Sequence, residues 1–184
     1  MIAVRIHGRG GQGVVTAAEL LSVAAFDDGR CAQAFPSFGS ERTGAPVVAF
    51  CRIDEREIRL REPIDDADAV IVQDPTLLHQ IDVFAGLRSG GLALINTSRA
   101  AAALGLEGLN ADVHTVPASE IARQHLGRPL PGAPLLGAFA ALSEAVSLDA
   151  VAAAFCERFP GATGEGNAAA ARAAAGAVLE RTDA

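Results

Sequence analysis

Six residues near the amino end, Gly8-Arg9-Gly10-Gly11-Gln12-Gly13, constrain this fold more than any other segment. Ile2 to His7 alternate ahead of them as a strand does, and the strand ends at Gly8. Gln12 to Asp27 repeats apolar residues at helical spacing, and Gly29 stops it as a C-cap residue would. Strand, glycine turn and helix in that order open an α/β layer. The glycines fall in a GxGxxG spacing. Such a loop lets backbone approach a diphosphate, and the helix N-terminus adds unpaired N–H groups and a positive partial charge. The same glycines would also allow strand and helix to pack tightly with no ligand. A Walker loop is excluded because no GK[ST] follows. A nicotinamide site is disfavoured, because the second strand runs out into Phe35-Pro36-Ser37 without the acid that would take a ribose.

The rest of the chain extends the α/β reading. Arg30 to Ala34 is a second strand and residues 35–45 a loop. Pro46 to Ile53 and Glu57 to Leu60 suggest a hairpin around Asp54 and Glu55. Ala69 to Gln73 and Leu92 to Asn96 are strands of the kind buried on both faces, and Val113 to Val116 is a shorter one. Pro75 to Phe84 reads as a short helix, Pro117 to Leu126 as a helix, and Gly127 to Pro134 as a loop. Three helices follow, over Leu135–Ala145, Leu148–Phe159 and Gly166–Arg181, with Ser147 capping the second. The last is so rich in alanine that it must pack closely or lie on a partner. The expected architecture is one domain over 1–184: a three-layer α/β sandwich with a mixed, mainly parallel sheet and a Rossmann-like glycine loop after strand one.

Composition narrows the function. Net charge is −7, from 22 acids against 15 bases, all of them Arg. A chain of that sign without basic tracts is a poor nucleic-acid binder. No apolar run approaches a membrane span and no secretory leader opens the chain, so a cytoplasmic protein is expected. Cys31, Cys51 and Cys156 lie far apart, without metal or cluster spacing, and read as buried thiols. The four histidines are scattered; His7, just before the glycine loop, reads first as structural.

A second loop adds chemistry of another kind. Phe35, Ser37, Phe38, Gly39, Glu41, Arg42 and Gly44 set two aromatics beside an adjacent acid and base. Aromatics next to Arg suit a protein interface. The alternative is that the Phe side chains cap the core and the charges are solvated.

GRGGQG, followed about twenty residues later by QAFPSFGSERTGAP, resembles the γ subunit of 2-oxoacid:ferredoxin oxidoreductases of the pyruvate synthase kind. The likeness continues through VIVQDPTLL from Val70, Leu94-Ile95-Asn96-Thr97, Gly127-Arg128-Pro129-Leu130-Pro131, Leu136-Gly137-Ala138, Glu157-Arg158-Phe159 and Asn167. It departs at Thr43, where the family more usually carries Arg before Gly44.

The resemblance implies an accessory subunit of an enzyme that oxidatively decarboxylates a 2-oxoacid to an acyl-CoA. Alpha and beta partners would hold thiamine diphosphate and magnesium, and a ferredoxin-like delta subunit would hold [4Fe-4S] clusters. Electrons would pass to ferredoxin or to an NAD-linked flavoprotein. For this chain it implies coenzyme A at Gly8, Arg9, Gly10, Gly11, Gln12 and Gly13, with Asn96 and Thr97 of second rank at a strand end. Residues 35–44 would face the catalytic subunit. Pyruvate leads as substrate; aryl-glyoxylate, 2-oxoglutarate and indolepyruvate enzymes share this type of domain. Outside the family, the readings are a stand-alone Rossmann-like nucleotide-binding module or a purely structural brace.

Overall fold

A computed structural model describes residues 1–37 and 43–182. Its centre is a six-stranded sheet in the order β2-β3-β1-β4-β5-β6. The strands are β1 (Ile2–Arg9), β2 (Cys31–Pro36), β3 (Pro46–Asp54), β4 (Ala67–Val72), β5 (Leu87–Asn96) and β6 (Ala111–Val116). Parallel pairing joins β1 to β4, β4 to β5 and β5 to β6. Strand β3 runs antiparallel between β2 and β1, so the sheet is mixed. The chain leaves β1 toward one edge and builds β4, β5 and β6 on the other side. The carboxyl end of β1 is therefore the switch point of the sheet, where α/β folds gather ligands.

Alternation along β1 separates two faces. Val4 and Ile6 meet the helices α1 (Val14–Asp27), α2 (Ala118–Leu126), α3 (Gly132–Ser143), α4 (Leu148–Arg158) and α5 (Ala162–Thr182). The alanine-rich α5 packs inside the molecule, with Ala170, Ala171 and Ala174 fully buried. Its approach to α3 is so close that a Cβ on Gly137 would fall 2.1 Å from the Ala171 carbonyl oxygen. Ala3, Arg5 and His7 point to the opposite face. That third layer consists of coil and two 3₁₀ turns, Pro75–His79 and Ala101–Leu104, over Phe50, Val70, Val72 and Ile95.

Several boundaries differ from the sequence reading. Glu57 to Leu60 is not a strand. Both edges of β3 are already taken by β2 and β1, and the exposed Glu57 and Arg59 pair with each other instead. Phe35 and Pro36 belong to β2 rather than to a loop. The expected helix after Pro75 closes at His79 as a 3₁₀ turn, started by Asp74, whose carboxylate accepts the Thr76 N–H. Helix α3 begins earlier, at Gly132, and α5 begins at Ala162. Ser147 caps α4 as expected, its Oγ accepting the Ala150 N–H at 3.0 Å. Of the three thiols only Cys51 is buried, and burial raises its pKa to about 12. Cys156 is exposed, because α4 turns Val151, Ala154 and Phe155 inward and Cys156 outward.

Candidate functional site at the glycine loop

The glycine loop divides into a packed half and an open half. Gly8 is buried on the helical face, where a Cβ would stand 2.6 Å from Val14 Cγ2. Gly11 and Gly13 are exposed and hold φ values of +92° and +74°. Only glycine adopts such backbone freely. Gly13 is also the N-cap of α1, and no side chain among the described residues caps that helix. The first-turn N–H groups of α1 are therefore open to a ligand, with the helix dipole behind them.

Arg9 does not extend into that space. Its Nε donates to Asp74 at 3.1 Å, Nη1 to the Gly44 carbonyl at 3.0 Å, and Nη2 to Thr76 at 2.7 Å and Gln80 at 2.8 Å. Gln12 joins the same carboxylate through Nε2 at 3.0 Å, while its Oε1 accepts the Arg9 N–H at 2.8 Å. Burial works against the charge on Asp74, but hydrogen bonds from Thr76 and Gln12 and the charge of Arg9 outweigh it, and its pKa lies below the ordinary value. The loop is further tied to the end of the second segment. Gly10 N–H donates to Ala45 at 2.9 Å and Gly44 N–H donates back to Gly10 at 3.1 Å. Arg9, Gly10 and Gln12 thus shape the loop, and among the described residues the amides of Gly11 and Gly13 meet no partner.

Those two glycines form one wall of a cavity of about 720 Å³ on the helical side. Three helices start at it: α1 behind its N-cap Gly13, α3 at Gly132 and α5 at Ala162. His125 and Arg128, at and just past the end of α2, add basic side chains. Leu126, Leu130, Phe155 and Phe159 supply an apolar wall. The lining therefore offers helix N-termini and basic side chains for an anion together with apolar side chains, the mixture an amphiphilic phosphate ester requires. The sequence reading missed these far walls as site residues. Arg128, Leu130, Phe159 and Asn167 stood in matched motifs, but nothing local ties them to residue 13.

The remaining candidates lie elsewhere. Asn96 is buried and fully engaged: its amide donates to the Gln73 carbonyl and to Ser119, both at 2.8 Å, and accepts the Ser119 N–H at 3.1 Å. Thr97 continues the sheet edge through its N–H to Val116. Neither lines the cavity. Phe35 packs on Phe50, ring centroids 5.1 Å apart, under the guanidinium of Arg52. Ser37 is exposed and donates its N–H to Val48. Phe38, Gly39, Glu41 and Arg42 lie outside the described residues. His7 is buried among the coil-face residues, and burial, with Arg5 beside it, lowers its pKa to about 4.

A family model described as pyruvate ferredoxin/flavodoxin oxidoreductase matches residues 3–177. The chain belongs to that family. Pyruvate synthase subunit PorC of Methanothermobacter marburgensis is 48% identical over 174 residues, 95% of this chain and 96% of that protein. The common gamma subunit of the pyruvate/ketoisovalerate oxidoreductases of Thermococcus kodakarensis is 48% identical over 177 residues, 95% of each. Among solved structures, the pyruvate oxidoreductase subunit PORC of Thermotoga maritima superposes with a TM-score of 0.83 at 34% identity, covering 95% of both chains. Within the family this is a gamma-type chain, an accessory subunit of a 2-oxoacid:ferredoxin oxidoreductase. Among the described residues, no helix is long and apolar enough to cross a membrane.

Proposed function

We propose that this chain holds coenzyme A for a cytoplasmic complex that converts a 2-oxoacid, pyruvate first among them, to an acyl-CoA. The observation that carries the reading is the cavity beside Gly11 and Gly13, which three helix starts and the side chains of Phe155 and Phe159 line together. Backbone N–H groups and Arg128 would take the phosphates. The apolar wall would take the adenine or the pantetheine arm. Thiamine diphosphate, magnesium and [4Fe-4S] clusters belong to alpha, beta and delta partners in this reading. Ferredoxin, or an NAD-linked flavoprotein, receives the electrons. A common gamma subunit serving two oxoacids in a relative supports leaving substrate choice to the partners.

A pure brace is the second reading, and the engagement of Arg9 with Asp74, Thr76 and Gln80 favours it. Thr16 separates the two. It lines the cavity from the first turn of α1. Glutamate there suits the helix but repels a phosphate. In the assembled complex, Thr16→Glu should raise the KM for coenzyme A by about tenfold or more and leave the KM for the 2-oxoacid in place. An unchanged coenzyme A KM would leave the chain as a brace.

A further inference from the structure

Gln73 is the oddest polar residue in this molecule. It directly follows β4 at the switch point, and its side chain is only 1% exposed. Both amide atoms, Oε1 and Nε2, lack a hydrogen-bond partner among the described residues. Its backbone is held firmly, the N–H donating to the His7 carbonyl at 2.7 Å and the carbonyl accepting from Asn96 at 2.8 Å. The side chain lies on the helical face, in phase with Ala69 and Ile71. A Cβ on Gly8 would stand 3.2 Å from Gln73 Cβ. A Cβ on Gly132 would stand 4.0 Å from Gln73 Nε2. Gly132 lines the cavity, as does Ala17, which the same Cβ would meet at 3.8 Å, so the amide sits one methyl's width behind this part of the wall.

A buried amide with neither atom paired is costly, and an apolar residue of the same shape would serve the fold better. Such a group calls for an explanation, and a partner absent from the bare chain supplies one. We propose that Gln73, which lies behind the cavity wall and does not itself line it, is a binding residue, its amide pairing with the bound ligand through one water across the gap at Gly132. This rests on the coenzyme A reading above. Gln73 offers an NH2 donor group and a carbonyl acceptor side by side. The complementary group carries the same pair in reverse, as a carboxamide or the amino edge of adenine does. A phosphate, which only accepts, would leave Oε1 unpaired.

Gln73→Met keeps the length of the side chain and removes its polarity. In the assembled complex this variant should melt at the same temperature as wild type or higher, yet bind coenzyme A about tenfold more weakly. Opposite signs are the mark of a ligand contact, because a residue serving only the fold cannot gain stability and lose affinity together. Wild-type affinity, or a fall in melting temperature alongside the fall in affinity, would overturn the assignment. Gly132→Ala gives a second variant, since its methyl meets Ala17 at 3.8 Å and Gln73 at 4.0 Å, ordinary contact distances. It should fold normally and weaken binding several-fold; unchanged binding would remove the gap as the route. Pantetheine and 3′-phosphoadenosine diphosphate separate the two ligand groups. The loss in Gln73→Met should follow one fragment, and equal binding of both fragments by wild type and variant would defeat the proposal. If wild-type complex fails to bind coenzyme A at all, the broader reading fails first.

Discussion

The two faces of the sheet are covered in opposite ways. On one face the helices lie over Val4, Ile6, Ile71 and Leu94, and the apolar core there sets many alanines among larger residues such as Leu21, Leu136 and Phe139. Helices satisfy their own backbone, so small apolar side chains suffice between them. On the other face the cover is coil and short turns, whose carbonyls have no ladder to join. There the sheet raises two buried arginines. Arg5 donates to the carbonyls of Ile64, Asp65, Val83 and Ala85. Arg52 donates to the carbonyls of Glu62 and Pro63, at 2.7 and 3.3 Å. A guanidinium carries five N–H donors in a fixed fork and accepts nothing, which matches a cluster of orphaned carbonyl oxygens. Burial lowers the pKa of Arg5, while Asp65, Asp82 and Asp66 nearby oppose that shift. Irregular cover thus needs buried donors, whereas helical cover needs close approach.

The sharpest way to break the contrast is Arg5→Met. It strands four carbonyls that Arg5 now serves and should cost roughly 4 kcal/mol. Hydrogen exchange should then rise over residues 62–86 and leave the helical layer protected. Equal deprotection of both faces would mean the layers do not depend on different devices. The matching change on the other face is Gly137→Ala, which forces a methyl onto the Ala171 carbonyl and should cost about 3 kcal/mol. Here deprotection should centre on α3 and α5, read by the same exchange experiment.

Acid gives a milder probe of the coil face alone. His7 titrates near 4 when folded, from an ordinary 6.5, because burial disfavours its charge. Below 6.5 the unfolded chain therefore binds the proton that the folded chain refuses. Stability is complete above that value, falls as pH drops toward about 4, and levels off below it, with a total loss of up to about 3 kcal/mol. Urea midpoints measured across this range should show the fall, and His7→Leu should flatten it. An identical slope in the variant would assign the acid sensitivity to other groups; Asp74 is not one of them, because its lowered pKa makes it lose stability only below this range.

Legibility followed how local each signal was. The strand, loop and helix from Ile2 to Asp27 could be read because alternation, glycine spacing and the 3.6-residue period all sit within one window. Glu57 to Leu60 misled because its alternation looks like a strand, while the pairing edges it needed were already used by β1 and β2. Arg9 looked like a free charge because its partners Asp74 and Gln80 lie more than sixty residues away.

By itself, the sequence determined the family, the α/β class and the position of the glycine turn, since short-range periodicity and motif order carry all three. Tertiary structure alone decided which glycines remain open, that Arg9 is tied to Asp74, and that Phe159 and Arg128 share a cavity with Gly13. Those facts depend on where chain segments from 65 to more than a hundred residues apart come to rest, and that is set by packing of whole faces rather than by neighbouring residues.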